Sequence, residues 1–150
     1  MCGDHGYRPA VGGALAVLSS PEHASESPET SIIGRLLFHG RDDGESTATH
    51  AMFAPNSSQR LGSPVSKSLL AKIHETGDMR RPAVKSPCWA TFRLVSATNL
   101  PEIAEDGKME GYMSSHVRIE VGSDGIIGRR VSLWAHGASA PIAEGVIGYN

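Results

Sequence analysis

Five basic side chains in the middle of the sequence have the types and the spacing of a binding site for anionic groups. Residues 66–95 carry six basic and two acidic residues, whereas the segments on either side are acidic. The candidate binding residues are Lys67, Lys72, Arg80, Arg81 and Lys85. Arg80 and Arg81 precede Pro82, and an arginine pair beside a proline presents two rigid hydrogen-bonding forks that suit phosphate or carboxylate. We therefore expect a basic patch that contacts an anionic membrane surface or an acidic protein partner.

Nucleic acid is a less favoured partner because the charge of the whole chain has the wrong sign. The net charge is −2 and the pI is about 6.4, whereas nucleic-acid-binding domains usually have a pI above about 9. The sequence contains neither of the glycine-rich phosphate-binding motifs, G-x-G-x-x-G and G-x4-G-K. Its seven histidines form no H-x-H or H-x3-H pair, so we expect no metal and no cofactor.

A second candidate site lies in residues 96–121, SATNLPEIAEDGKMEGYMSSHVRIEV. This stretch resembles the entrance to a calcium loop in synaptotagmin-type lipid-binding domains, and the matching residues are Ala97, Asn99, Leu100, Pro101 and Tyr112. The resemblance implies a calcium- and lipid-binding module. Glu110 or Gly111 stands where that family has a calcium-ligating aspartate. Glu105 and Asp106 are then the carboxylates of the loop, and calcium needs six to eight oxygen ligands. The alternative interpretation is two strands joined by an acidic turn.

A third candidate is the start of the chain, MCGDHGY. It resembles the N-terminal-nucleophile glutamine amidotransferases, and the matching residues are Cys2, Gly3, Gly6 and Tyr7. The resemblance implies a hydrolase in which the Cys2 thiol is the nucleophile and its own α-amine is the base. Asp4 and His5 occupy positions that are apolar in that family. A second motif of the family is echoed, at a different distance, by Trp134, Ala135, His136 and Gly137.

The element expected to carry the basic patch is an amphipathic helix at residues 63–77. Ser63 is a suitable N-cap, and Gly77 is a suitable terminator. The apolar stripe of this helix consists of Val65, Leu69, Leu70 and Ile73, with Lys67 and Lys72 facing away. Residues 78–87 contain two prolines, so they predict a loop that cannot continue the helix.

The other elements are expected to be strands. The predicted strands are residues 31–40, 88–97, 114–121 and 143–149. The GSDG sequence at 122–125 predicts a hairpin turn, after which residues 126–136 return beside the preceding strand with Val131 and Leu133 inward. Residues 41–62 are polar over their length and predict a long loop.

These elements predict an α+β fold, with a mainly antiparallel sheet of four to six strands and at least one packed amphipathic helix. Residues 31–150 are expected to form a single domain, because a chain of 150 residues commonly buries one core. Residues 1–30 are expected to be a flexible N-terminal arm, since their Ser, Glu and Pro content offers little apolar surface. Within that arm, residues 11–18 could still pack as a short strand or helix.

The function predicted from these observations is that of a non-enzymatic binding or assembly protein, with structural or accessory character. Small viral matrix proteins have this general build, an analogy at the level of fold alone. Self-association into a homo-oligomer is a further expectation. The two cysteines, Cys2 and Cys88, are far apart, so we expect no disulfide framework and a cytoplasmic location. The calcium and lipid module and the N-terminal-cysteine hydrolase remain as alternatives.

Overall fold

The computed structural model describes residues 12–22, 33–40, 46–56, 68–96 and 107–150. Its strands are β1 (Ala14–Leu18), β2 (Gly34–His39), β3 (Thr47–Pro55), β4 (Ser68–His74), β5 (Cys88–Ser96), β6 (Met109–Val121), β7 (Gly125–Ile127), β8 (Arg130–Ala135) and β9 (Ala143–Tyr149). Within these ranges the only helical element is a 3₁₀ turn, Ala83–Lys85. No helix in the described ranges is long and apolar enough to cross a membrane.

Eight of the strands close into an antiparallel barrel. Neighbouring strands follow the order β1, β2, β3, β6, β5, β4, β8 and β9, and β9 pairs with β1. The pairing of β3 with β6 joins the two ends of what would otherwise be an open sheet. β7 lies outside this ring and pairs in parallel with β6. Closure matters because each strand of the ring then has a hydrogen-bonded neighbour on both sides.

The inside of the barrel is filled by apolar side chains at alternate strand positions. β4 buries Leu69 and Ile73, and β5 buries Phe92 and Leu94. Phe92 also meets Phe38 of β2 edge to face, with ring centroids 6.1 Å apart. Because successive strand residues point to opposite faces, the same alternation sends the polar residues of these strands outward. Polar chemistry therefore has to be sought on the outer surface of the barrel.

The predicted α+β fold, with an amphipathic helix packed on a sheet, is wrong. Within the predicted helix at 63–77, residues 68–74 form strand β4, which pairs with β5 on one side and with β8 on the other. Every second side chain of β4 enters the core, while Leu70 and Lys72 lie on the outer face. A short apolar run such as SLLAKI fits a helical stripe and a strand alternation equally well, and partner strands distant in sequence decide between them. Residues 63–67 lie outside the described residues.

The prediction of a loop at residues 41–62 is also wrong for the central part of that range. Residues 47–55 form strand β3, which pairs with β2 and with β6. The sequence TATHAMFAP alternates apolar and polar side chains only in part, because the register shifts between Ala48 and His50. An irregularity of this kind moves the alternation by one residue. The period of the strand is therefore interrupted in the sequence, although the strand itself is continuous.

The predicted hairpin between β6 and residues 126–136 does not form. β8 pairs with β4 and with β9, and only the short β7 lies beside β6, in the parallel direction. Val131 and Leu133 are buried as predicted, but the residues from Arg130 to Trp134 are all buried. Burial on both faces means that β8 is covered from outside as well as from inside.

Strands predicted within residues 31–40, 88–97 and 143–149 are confirmed as β2, β5 and β9. The strand predicted at 114–121 is confirmed as part of the longer β6. Within the predicted arm, residues 14–18 form β1, which lies between β2 and β9 in the barrel. Of the two options for this short segment, the strand is the one adopted.

A pair of leucines tests the strand assignment of β4. Leu69→Ala should lower the free energy of unfolding by about 2–5 kcal/mol, because Leu69 is 1% exposed in the core. Leu70→Ala should cost less than half as much, since Leu70 is half-buried on the outer face. Urea unfolding of both variants measures the difference. Equal losses would instead support the helical stripe, on which both leucines face the core.

Candidate binding site

A polar network lies on the outside of the barrel, between strands β4, β8 and β9 and the loop that covers them. We name residues 75–87 the basic loop. The side chains of Arg130, Ser132 and Glu144 are buried. Arg130 and Ser132 alternate with the core residues Val131 and Leu133 on β8 and so point away from the barrel interior, and Glu144 is the cross-strand partner of Ser132 on the same face. Their burial outside the barrel shows that the basic loop and its neighbours form a second layer over this face.

The centre of this network is an ion pair between Arg130 on β8 and Glu144 on β9. Both side chains are 1% exposed, and the guanidinium donates from two of its nitrogens to Glu144 Oε2. Nη1 of Arg130 also donates to the main-chain oxygens of Asp78 at 3.3 Å and Arg81 at 2.5 Å, and to Ser86 Oγ at 3.4 Å. One buried cation therefore holds the middle of the basic loop against the barrel.

A small cleft adjoins the ion pair. It is bordered by Pro21, Pro82, Ala83, Val84, Arg130, Ala140, Pro141 and Glu144, and has a volume of about 70 Å³. Glu144 Oε1 is buried and has no hydrogen-bond partner among the described residues. Buried carboxylate oxygens are normally satisfied, often by an ordered water, and the cleft is roomy enough for one.

The neighbouring arginine, Arg129, fixes the beginning of the basic loop. Its Nε donates to Gly125 O at 2.6 Å, its Nη1 to Glu75 O at 2.6 Å, and its Nη2 to Ser123 O at 2.7 Å. The guanidinium carbon lies 4.3 Å from the centroid of the Trp89 ring, within the range of a cation–π contact. Arg129 and Arg130 therefore anchor two different parts of one loop.

The start of the basic loop also packs closely on the turn between β7 and β8. The backbone N–H of Arg130 donates to Thr76 O at 3.0 Å. A Cβ placed on Gly77 would lie 2.1 Å from Gly128 O, so this position requires glycine for close backbone approach. Gly77 therefore does not terminate a helix, as the sequence suggested, but lets two turns pack together.

His74, at the end of β4, links the loop to β8. Its Nε2 lies 2.7 Å from Ser132 Oγ, and its Nδ1 lies 3.3 Å from Ser86 O. Trp134 Nε1 donates to the same Ser132 oxygen at 2.8 Å, so the hydroxyl proton is free to point at His74 Nε2 while Nδ1–H donates to Ser86 O. Ser132 is 0% exposed. This hydroxyl therefore cannot meet a substrate, and the serine–histidine contact is structural.

The basic loop presents three of the predicted binding residues, Arg80, Arg81 and Lys85, at exposed positions. Arg80 Nε lies 3.1 Å from Asp78 Oδ1, and the Arg80 side chain is 91% exposed. The hydrogen bonds from Arg80 lower the pKa of Asp78, although exposed ion pairs of this kind stabilise a fold little. These three residues lie on one connection between β4 and β5, where the sequence predicted a loop, and their role in binding stays a prediction.

Lys72 lies apart from the basic loop, on the outer face of β4. Its Nζ is 4.0 Å from the centroid of the Trp134 ring. A groove of about 140 Å³ runs beside it and is also lined by Arg93 and His136. Because ligand pockets usually measure about 300–1,000 Å³, this groove has room for one anionic group and not for a whole cofactor. Lys67, the remaining predicted residue, lies outside the described residues.

Sequence reasoning missed the residues that hold the site in place. They are His74, Arg129, Arg130 and Glu144. A signal was present for two of them: Arg130 precedes the apolar run VSLW, and Glu144 lies inside PIAEGVIG, so each is a charge next to strongly apolar sequence. Charges in such positions are buried only when they are paired, which would have suggested that the two belong together.

The described residues give no support to the resemblance to synaptotagmin-type calcium loops or to the resemblance to N-terminal-nucleophile amidotransferases. Residues 97–106 of the calcium-loop stretch and Cys2 lie outside the described residues. Tyr112 is 76% exposed on β6, and the described residues contain no group of three or more His, Cys, Asp or Glu side chains that could hold a metal. The described thiol, Cys88, has a pKa raised mainly by burial, which disfavours a reactive thiolate.

Comparison with known proteins gives no family for this chain. No protein-family model matches the sequence, and no curated protein matches it. The barrel, the anchored basic loop and the groove are therefore the observations from which a function has to be inferred.

The buried ion pair generates a prediction about stability. Glu144→Gln should destabilise the fold by about 3–5 kcal/mol, because it leaves the Arg130 charge buried without its partner. The matched control is Glu120→Gln, which removes the partner of Arg118 from an exposed pair and should cost less than about 1 kcal/mol. Urea unfolding measures both. Similar small losses would show that Arg130 is not held by Glu144 in the folded protein.

The burial of His74 predicts that stability falls with acid. Burial, followed by the nearby charge of Arg130, lowers the pKa of His74 below its ordinary value of 6.5. The unfolded chain then binds a proton that the folded protein does not, so the free energy of unfolding decreases as pH falls below about 6.5. His74→Gln should flatten this part of the curve, measured by urea unfolding between pH 8 and about pH 5. His116→Gln, at an exposed position, is the control; an equal flattening there would contradict the assignment.

Proposed function

We propose that this protein is a non-enzymatic binding protein that contacts an acidic protein partner through its basic loop. The observation that supports the proposal is the anchoring of that loop: the buried side chain of Arg130 donates hydrogen bonds to the main-chain oxygens of Asp78 and Arg81. The backbone between these two positions is held from beneath, while the side chains of Arg80 and Arg81 extend into solvent.

Anchoring favours binding because it reduces the entropy lost when a partner docks. Immobilising a flexible loop and its long side chains on association costs free energy, and a loop that is already ordered avoids part of that cost. Arg129 holds Glu75, Arg130 holds Asp78 and Arg81, and His74 contacts Ser86. These contacts lie at the beginning, the middle and the end of the basic loop, so the loop is ordered along its length before a partner arrives.

The composition of the basic loop favours a protein partner over a membrane. Peripheral membrane segments usually combine four to eight Lys or Arg residues with aromatic or long aliphatic side chains that insert between lipids. The basic loop has three cations, Arg80, Arg81 and Lys85, and its exposed large apolar side chain is Val84, which is 55% exposed. Guanidinium forks suit the carboxylates of an acidic protein surface.

The proposal also includes a cytoplasmic location and self-association of the protein. Cys88 is not part of a disulfide, which supports a reducing compartment because oxidising compartments favour disulfides. Exposed apolar side chains on the strands, such as Tyr112 and Val121 at 76% and 69%, support contact between copies. The analogy with small viral matrix proteins depended on an α+β build, and the barrel gives it no basis.

Charge reversal tests the proposal. The double variant R80E/R81E should weaken binding to a polyglutamate peptide by about tenfold or more, because both exposed guanidinium groups are lost. The fold should persist, since the buried guanidinium of Arg130 holds the loop through main-chain oxygens. The pair between Arg80 and Asp78 that the variant removes is exposed, and exposed pairs stabilise a fold little. Fluorescence anisotropy at about 0.15 M salt measures the affinity.

The matched control is R35E/R118E, which changes the net charge by the same amount at exposed positions on β2 and β6. It should reduce binding by less than about twofold, because long-range charge effects are screened at this ionic strength. Equal weakening in both variants would reject the basic loop as the binding site. Vesicles with and without phosphatidylserine complete the test: binding to the anionic vesicles but not to the peptide would assign a membrane partner instead.

A further inference from the structure

Three rings lie side by side on another part of the outer surface, where β2, β3 and β6 are neighbours. His39 pairs directly with His50 across β2 and β3, and His50 pairs with Tyr112 across β3 and β6. The centroids of the two imidazoles are 5.0 Å apart with an interplanar angle of 36°. The Tyr112 ring follows at 5.9 Å from His50. The sequence does not reveal that His39 and His50 are neighbours, because they are eleven positions apart.

The spacing of the two imidazoles fits coordination of one metal ion by both. A zinc ion lies about 2.0–2.1 Å from an imidazole nitrogen and so about 3.2 Å from the ring centre, which puts two rings at a tetrahedral angle with centroids about 5.2 Å apart. The observed separation of 5.0 Å is close to this value. Direct cross-strand partners are also held by the sheet backbone, so little ordering of the main chain is needed on binding.

The surroundings of the pair leave both imidazoles accessible and favour the neutral form of His39. Both histidines are half-buried, which restricts their rotation and leaves an open side. Burial, followed by the neighbouring His50, lowers the pKa of His39, while Glu110 opposes that shift. Thr49 Oγ1 lies 3.4 Å from His50 Nδ1, so the ring nitrogen that remains for a metal is Nε2. Outer hydrogen bonds of this type commonly orient metal-binding histidines.

We propose that His39 and His50 form a two-imidazole site for a divalent transition metal of the zinc, nickel and copper class, with solvent completing the coordination. Imidazole nitrogen is a preferred ligand of these ions, whereas calcium and magnesium prefer oxygen. The described residues contribute no third His, Cys, Asp or Glu in suitable geometry, so the site is open on its outer side. It lies on strands other than those that carry the basic loop, and it does not depend on the function proposed above.

Zinc titration of the full chain, followed by NMR of the imidazole ring protons, tests the site one histidine at a time. The resonances of His39 and His50 should shift together and with a stoichiometry of one zinc per chain. They should shift at a lower zinc concentration than the other histidines in the described ranges. His39→Gln should raise the zinc concentration needed to shift His50 by about tenfold or more, as expected when one of two chelating ligands is lost. His50→Gln should have the same effect on His39.

Two controls separate this site from general surface binding. His116→Gln removes an exposed histidine on β6 and should leave the zinc response of His39 and His50 unchanged. Amide spectra of each variant without zinc establish that the barrel is intact. The proposal is overturned if His39 and His50 respond only at the zinc concentration that shifts His116, or if His39→Gln leaves the response of His50 as it was.

Discussion

The outer layer of this protein depends on a buried cation that must have both its charge and its hydrogen bonds satisfied. Arg130 is 1% exposed, and an isolated charge in that position would cost several kcal/mol. Glu144 neutralises the charge, and oxygens of the basic loop accept further hydrogen bonds from the same guanidinium. The need to satisfy this arginine thus helps to determine where the middle of the thirteen-residue loop lies, while Arg129 holds its beginning.

Closure of the barrel explains why the polar chemistry lies outside. The pairing of β3 with β6 encloses a core made of aliphatic and aromatic side chains. A polar group placed there would need a partner inside the barrel, and the outer face offers loops, strand neighbours and solvent. The basic loop, the groove beside Lys72 and the histidine pair all occupy outer positions of strands or the connections between them. The barrel supplies a rigid frame, and the sites are features of its surface.

The sequence predicted strands where apolar residues alternate or cluster over one uninterrupted segment, as in β2, β5 and β9. The prediction from sequence failed at β4, where SLLAKI is compatible with the period of a helix and with that of a strand. It also failed at β3, where an irregularity shifts the alternation. For the candidate site, the exposed cations Arg80, Arg81 and Lys85 could be found from charge and proline spacing. The pairing of Arg130 with Glu144 could have been suspected from two charges inside apolar sequence. That this pair lies beneath the basic loop could not be predicted, because the pairing of β8 with β9 and the position of the loop are set by the fold. Contacts across a closed sheet are not encoded in local sequence spacing.

The same outer layer closes off a serine and a histidine from solvent, since His74 is 1% exposed and Ser132 is 0% exposed. The contact between His74 and Ser132 has the distance of a catalytic pair, but Trp134 already donates to the serine oxygen and the basic loop covers the histidine. The arrangement uses a serine and a histidine to join strands to a loop, and it gains stability because no solvent reaches them. Exposing them for catalysis would require moving the loop that Arg129 and Arg130 hold. On this face the serine and the histidine are therefore structural, and the charged groups that reach solvent are those of the basic loop.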